Sequence, residues 1–515
     1  MPKLLDLGRT FLQAVERCPR HLAIVDGQLR YTYEEWALLV GALEQYLLQQ
    51  GLKKGDRVLS ILQNRFEAAT LHWACQMAGI TIVPINWRAK ADEIDFYLNN
   101  SQSKLVFYES ASSAELAVVL KDQEFPSVFC GSGESIVINS ALFSNCVAQR
   151  QMPISYASAT DCSVMLYTSG TTGKPKGVPR TQAAERAAGI AHIAQNQYRS
   201  YEVTLGVMPL YHTMGVRTLL ALCLGNGAYI ALPKWHAPTA VDLIAQEKVS
   251  HLYLVPTLYH DLINASNFSR DKVKTTTKLG FAGAPMHDAL LLELNQLFQP
   301  ELFVNHYGSS EIYTFTINQW AVEKPGSAGR AGLNERIRVV ALDDGNRKMT
   351  GEDLLPPEVE GQIICDLQSE EAFSGYWERP DANEKSLRGE WYFTGDTGYF
   401  DQEGELFVTG RVDDMIISGG ENISPVEIES LLSLHPAVDE VAVAGMKDDR
   451  LGQKVVAFIH LKQDVLAEEL DHYCKKSELL NFKRPREYVF VKEIPKSPVG
   501  KILRRKLIAG EYELS

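Results

Sequence analysis

The sequence predicts an α/β protein with a large N-terminal domain of parallel-type β-sheets covered by helices, carrying a small β-barrel-like subdomain, and a small α+β C-terminal domain. Three observations predict it. A chain of 515 residues is too long for one hydrophobic core. Short apolar runs alternate with helical patterns through most of its length, the texture of parallel strands joined by crossover helices. From about residue 335 that alternation yields to a β-rich stretch, and beyond residue 411 to a unit of about 100 residues with its own helices and strands.

In chain order, Phe11 to Arg17 predicts a helix, and Leu22 to Val25 with Arg30 to Tyr33 the strands of a hairpin. Tyr33 to Leu48 is amphipathic, with Thr32 as N-cap and Glu35 placed to complete a capping box. Val58 to Leu62, Thr81 to Pro84 and Leu105 to Tyr108 are short apolar strands, with Phe66 to Ala78 a helix among them. Ser163 to Tyr167 predicts a buried strand, and Thr204, Tyr229, His251, Leu279 and Phe303 each open another. In the β-rich stretch, Ile337 to Leu342, Gly361 to Cys365 and Glu405 to Val408 are strands, with turns at Asp343 and Asp401. The C-terminal unit reads as helix 425–433, strands 438–445 and 454–461, helix 467–477 and strand 488–492. The expected domains are 1–411, with the β-rich subdomain over about 335–411, a hinge at 412–414, and 415–515.

Composition narrows the function. Apolar residues make up 45% and charged residues 22%, ordinary for a soluble globular protein. There is no membrane-length apolar run, and the N-terminus carries charges throughout, so neither a membrane span nor a secretory signal is expected. Eight cysteines without paired or metal-ligand spacing read as free thiols in a reducing compartment, which predicts a cytoplasmic protein. A net charge of −13 argues against nucleic acid as a partner. The charge is uneven: Lys475 to Lys506 holds eleven Lys and Arg against three Glu, a surplus of eight with no structural need apparent in the sequence. That surplus is either a solvated face or an anion-binding surface.

The most informative stretch is Thr168-Ser-Gly-Thr-Thr-Gly-Lys-Pro-Lys-Gly177, with four hydroxyls, three glycines and two lysines in ten residues. Glycines admit an oxyanion to the backbone N–H groups, hydroxyls donate, and lysines supply charge. The spacing does not fit a Walker loop, because Pro175 follows Gly173-Lys174. A Ser/Thr/Gly-rich linker is the bland alternative. Further candidates follow strand ends, where ligands of such sheets bind. These are Pro209-Leu-Tyr-His-Thr-Met-Gly215, Gly283-Ala-Pro-Met286 and His306-Tyr-Gly-Ser-Ser-Glu311. Downstream lie Trp391-Tyr-Phe-Thr-Gly-Asp396, Gly410-Arg-Val-Asp-Asp414 running on to Gly419-Gly420, and Pro495-Lys-Ser-Pro-Val-Gly-Lys501.

In this order and spacing the motifs resemble the adenylate-forming superfamily, in its acyl-CoA synthetase branch. The stretches Gly410–Asn422 and Ser477–Pro485 are most similar to aryl-CoA ligases of the 4-chlorobenzoate and benzoate type. The resemblance implies ATP, Mg2+ and coenzyme A, and a mobile C-terminal domain that turns about Asp413. It implies that Thr168, Ser169, Gly170, Thr171, Thr172, Gly173, Lys176, Gly283, Ala284, Pro285, His306, Tyr307, Gly308, Ser309, Ser310, Asp396, Arg411 and Lys501 bind the nucleotide. Glu311 would ligate magnesium, and Lys501, Glu311, Thr168 and His212 would serve catalysis. Ile190, His212, Phe281, His306 and Tyr313 would form the acyl pocket, and Gly419, Gly420, Phe482, Arg484 and Arg486 the CoA site, although Leu451 replaces the Trp that stacks on adenine in chlorobenzoate relatives. Arg186 or Arg217 could accept a second carboxylate, against a surface or structural role. The expected reaction joins a small carboxylic acid, aromatic or alicyclic, to CoA through an acyl-AMP. A medium-chain fatty acyl-CoA synthetase and an acyl-AMP ligase loading a carrier protein are the alternatives, and a homodimer is left open.

Overall fold

The computed structural model describes all residues except 1–4, 122–123, 132–136, 138, 169–174, 344–346, 420 and 497–501, and of Asn422 only the backbone. Among the described residues the strands assemble into four sheets. The first has nine strands, in the spatial order Arg330–Ala331, Thr316–Asn318, Leu302–Tyr307, Lys278–Phe281, His251–Leu254, Val203–Gly206, Ala228–Ala231, Leu22–Asp26 and Leu29–Thr32. Its six central strands are parallel and its edges antiparallel. The second has seven strands and is parallel except at one edge, where Lys176–Thr181 folds back along Cys162–Thr168. That hairpin was not foreseen, because Lys176 to Thr181 carries a charged and proline-bearing pattern unlike a strand; as an edge strand it tolerates Pro179.

The β-rich stretch is a separate antiparallel sheet of five strands, centred on Gly361–Asp366 and Trp391–Phe400 and closed on one side by Leu406–Arg411. A short 3-10 turn, Val412–Asp414, leads from it to the fourth sheet, in which Val438–Asp448 and Gly452–Leu461 form a long hairpin and Glu487–Phe490 pairs in parallel. A large N-terminal part and a small C-terminal part thus stand as expected, each with its own core.

Local chemistry explains the better-read elements. The helix Tyr33–Gln49 begins at Thr32, whose hydroxyl accepts from the Glu35 amide while the Glu35 carboxylate accepts from the Thr32 amide, so two end donors are satisfied reciprocally. The helix Pro425–Ser433 starts on a proline whose missing N–H costs nothing at that position. All eight cysteines are free, and burial pushes the thiols of Cys75 and Cys223 up. No helix among the described residues is long and apolar enough to cross a membrane.

Candidate active site

Groups from three sheets converge beyond the strand Leu302–Tyr307. From the first sheet come Tyr307 and the turn that follows it. Ser309 shapes that turn: its backbone N–H bonds the Ile312 carbonyl at 3.0 Å and its hydroxyl accepts from the Glu311 amide at 3.2 Å. Gly308 is required there, since any Cβ would collide with the Tyr313 carbonyl. The carbonyls of Ser310 and Glu311 point back to Arg180, whose Nη1 donates to them at 3.4 and 3.1 Å and to the Glu371 carbonyl at 2.7 Å. Arg180 is fully buried, ion-paired with Glu185 and laid over the Tyr313 ring, and the Tyr313 hydroxyl donates to Glu185 at 3.2 Å. This clamp sets the loop and leaves the Glu311 carboxylate facing Tyr376, which donates to it at 2.7 Å.

The second sheet contributes Thr168 and Lys176, register partners at the loop end of the hairpin. Thr168 Oγ1 is buried without a partner among the described residues. The Lys176 ammonium lies 4.1 Å from the centre of the Tyr376 ring. Burial lowers its pKa and the nearby Glu311 carboxylate counters that, while Arg411 and Lys385 add to the lowering. Ser169, Gly170, Thr171, Thr172 and Gly173 lie outside the described residues, as do Gly420 and Lys501.

From the third sheet come Asp396 and Arg411, opposed in register. Asp396 accepts from the Tyr307 phenol at 2.6 Å and pairs with Arg411 Nη1 at 2.6 Å. Gly395 has φ of +78°, and a Cβ there would sit 2.9 Å from Arg411 Nη2, so glycine both makes the turn and clears the guanidinium. Gly283, with φ of +83°, turns the chain after Lys278–Phe281 and presents Ala284 and Pro285 at the surface.

His212 caps the helix Thr213–Gly225, its Nδ1 accepting from the Met214 amide at 3.4 Å; burial, with Arg217 second, pushes its pKa down to about 4 and keeps the ring neutral. The other residues expected around the acyl group are not all brought together. His306 is buried against Tyr253 and His192, with ring centres 5.0 and 5.2 Å away, and its Nε2 meets Asn196 Oδ1 at 3.1 Å. Phe281 is a correction: it turns to the opposite sheet face and packs on Phe303 in an apolar core, because side chains alternate along a strand. Gly280 is the residue on the His306 side, where a Cβ would lie 3.0 Å from Tyr253. Ile190 is 39% exposed and takes no part in the His306 cluster. Arg186 donates to Thr10, which makes it structural.

In the small part, Asp413 lies in the 3-10 turn, 3.8 Å from Lys385. Gly419, at φ of +63°, donates its N–H to the Leu451 carbonyl at 2.8 Å. Phe482 is 38% exposed. The basic surplus proves largely paired, which corrects the expectation that it has no structural need. Arg484 is bound to Asp471, Lys483 to Glu427, Lys496 to Glu440 and Arg504 to Glu429. Arg486 has no carboxylate within ion-pair distance among the described residues; its guanidinium donates to the Asn481 carbonyl at 3.4 Å. Sequence reasoning missed Tyr376, Arg180 and Glu185; the aromatic pair Tyr376-Trp377 after Gly375 was the available signal for the first.

A Thr/Lys pair at the loop end of a hairpin, a clamped acidic turn and a doubly held aspartate, drawn from three sheets, suit a nucleotide-dependent enzyme. The chain belongs to the AMP-binding enzyme family: that family's model matches residues 11–377, and the model of its C-terminal domain matches residues 427–501. It is 30% identical to a 4-chlorobenzoate–CoA ligase of Arthrobacter sp over 499 residues, 96% of this chain and 93% of that protein. It is 30% identical to a long-chain-fatty-acid–CoA ligase of Mycobacterium tuberculosis, over 98% of each chain. Among solved structures, o-succinylbenzoate CoA synthetase of Bacillus subtilis with its acyl-adenylate intermediate aligns at a TM-score of 0.83 and 25% identity, over 98% of both chains.

Proposed function

We propose that the protein is an ATP-dependent CoA ligase that activates a carboxylic acid, aromatic or alicyclic by preference, as an acyl-AMP and passes the acyl group to CoA. The observation that carries this reading is that Lys176 and Glu311 both meet Tyr376 while Tyr307, in the strand that leads to Glu311, and Arg411 both hold Asp396, so groups from three sheets come together. The acid's carboxylate oxygen attacks the α-phosphorus of ATP and pyrophosphate departs; the CoA thiolate then attacks the acyl carbon and AMP departs. Such chemistry asks chiefly for positioning and charge compensation.

Asp396 would hold the ribose hydroxyls. Each of its oxygens already accepts one hydrogen bond, from Tyr307 or Arg411, and keeps a further lone pair for a ligand. Lys176 and the Thr168 hydroxyl would meet phosphate oxygens, with Ser169, Thr171 and Thr172 beside them. Glu311 would hold Mg2+, since it offers a hard oxygen ligand oriented by Tyr376. When bound, that ion neutralises phosphate charge. Lys501 would stabilise the pentavalent α-phosphate, and Asp413 would be the hinge on which the small domain turns between the two steps. Gly419, Gly420, Phe482 and Arg486 would receive CoA, with Arg484 released from Asp471 on binding. The free cysteines support a cytoplasmic setting.

The test is a panel of acids assayed with ATP for pyrophosphate release, then with CoA for thioester. AMP and acyl-CoA in equal amounts are expected. Adenylate formation with no transfer to CoA, but transfer to a holo carrier protein, would replace CoA as the acceptor.

A further inference from the structure

Two guanidinium groups lie fully buried near the acyl end of this site, and they are treated differently. Arg180 has Glu185 as its counter-ion. Arg217, 2% exposed, has no carboxylate within ion-pair distance among the described residues. Its Nη1 donates to the Tyr313 carbonyl at 3.2 Å and to Thr314 Oγ1 at 2.6 Å, and its Nη2 to the Tyr253 phenol. All three acceptors are neutral. Its Nε is buried with no partner at all among the described residues. A buried cation is costly unless an anion compensates it, and a planar guanidinium fork is shaped for a carboxylate. The buried Glu371 carboxylate is within electrostatic reach of Arg217, which opposes the rise that burial imposes on its pKa, but the two form no ion pair among the described residues, and burial together with Arg217 holds His192 and His306 in their neutral forms.

The position of Arg217 ties it to the substrate. It stands on the helix that His212 caps, whose N-terminal end also favours negative charge. Tyr253, the acceptor of its Nη2, packs with Met208, Met214, Val255 and Ala282. That apolar layer joins the helix start at Met214 to Ala282, the residue before the Gly283 turn. The Tyr253 ring also packs with His192 and His306, which are linked through Asn196. An acid entering between His212 and Gly283 would therefore lay an apolar body along this layer and meet a cation at its inner end.

Resting on the CoA ligase reading above, we infer that Arg217 is a specificity-determining residue, and that the acid this protein activates carries a second carboxylate which Arg217 receives at the inner end of the acyl pocket. The apolar layer between the two ends calls for a diacid with a hydrocarbon spacer, aliphatic or aromatic, rather than a short polar one. A purely structural role, bracing residues 313–314 against the helix, is the alternative that the experiment must separate.

Pairs of acids that differ only at the far end are assayed for acyl-CoA formation: linear and aromatic dicarboxylates of increasing length, each against the monocarboxylate with methyl or hydrogen in place of the second carboxylate. At least one diacid is expected to exceed its partner 100-fold or more in kcat/KM. In Arg217→Met that ratio should fall at least tenfold, with Arg217→Lys recovering part of it. Monocarboxylates ahead at every length, or equal loss on both members of a pair in Arg217→Met, would overturn the inference while leaving the ligase reading intact. Should no acid of either kind yield AMP, the ligase reading fails by itself. Thermal-shift titration with the same diacids then decides: stabilisation of the wild type that is lost in Arg217→Met supports the inference, and no stabilisation overturns it.

Discussion

Asp396 is oriented before any nucleotide arrives, by a phenol on one side and a guanidinium on the other. Substituting it would remove the proposed ribose ligand and leave Arg411, whose Nε has no partner among the described residues, without its ion pair. Asp396→Ala is expected to raise KM for ATP by about 10- to 100-fold, the worth of one or two charge-assisted hydrogen bonds at roughly 1.5–3 kcal/mol each. The ATP dependence of pyrophosphate exchange measures it, and an unaltered KM would remove Asp396 from the nucleotide site. Lys501 is legible from its motif alone. Lys501→Ala should lower adenylation by about 10²–10³, the usual cost of one charge-stabilising donor, yet spare thioester formation from supplied acyl-AMP. Equal loss in both half-reactions would contradict the assignment. Tyr376 and Arg180 lie outside the motifs and act on Glu311 from distant parts of the chain, with only the Tyr376-Trp377 pair as a local signal for the first.

At the scale of elements, the helix Tyr33–Gln49 shows how a neighbour can reverse a local preference. Glycine inside a helix is normally worse than alanine by up to about 1 kcal/mol. At Gly41, however, a Cβ would collide with the Gln151 carbonyl and lie 2.6 Å from the Pro153 nitrogen, so the segment after residue 150 lies directly on the helix backbone. Gly41→Ala is therefore expected to destabilise, by about 1–3 kcal/mol, seen as a lower denaturant midpoint. One turn on, Glu44 accepts from the Ile154 amide at 3.0 Å, and burial pushes its carboxyl up from 4.5 to about 7. The folded state thus binds a proton more tightly than the unfolded one. The stability this represents is whole below pH 4.5 and is lost as the pH rises through about 7. A glutamine carries no such titration, so the stability of Glu44→Gln relative to wild type should grow between about pH 4.5 and 8, by up to about 3 kcal/mol. Unfolding midpoints at the two pH values check it; a constant difference would mean that Glu44 titrates normally.

For the whole molecule, the proposed two-step reaction asks one small domain to serve both half-reactions. Val412–Asp414 is the covalent path between the third and fourth sheets, and Asp413 lies 3.8 Å from Lys385 of the larger part. Proline locks φ near −65° and removes a backbone donor. Asp413→Pro should therefore depress one half-reaction far more than the other, measured as pyrophosphate exchange against acyl transfer from supplied acyl-AMP. Equal survival of both would rule out rotation at this residue. The pairing of Arg484 with Asp471 also changes the expectation for the CoA face, since a guanidinium already neutralised offers less to a phosphate.

By itself the sequence determined what repeats locally: the capping box at Thr32, the proline-started helix at 425, the alternation of strand and helix, and the motifs that carry nucleotide chemistry. Those follow from residues within a few positions of one another, where hydrogen bonds and side-chain period act without knowledge of the fold. Tertiary structure alone decided the rest. It set Phe281 on the face opposite His306 and Gly280 on the same one, because strand register depends on the neighbouring strands. It paired most of the basic C-terminal stretch with carboxylates from the helices and strands it packs against. And among the described residues it ion-paired one of two buried arginines with a carboxylate while giving the other only neutral hydrogen-bond acceptors, a difference of long-range packing that no spacing of residues along the chain expresses.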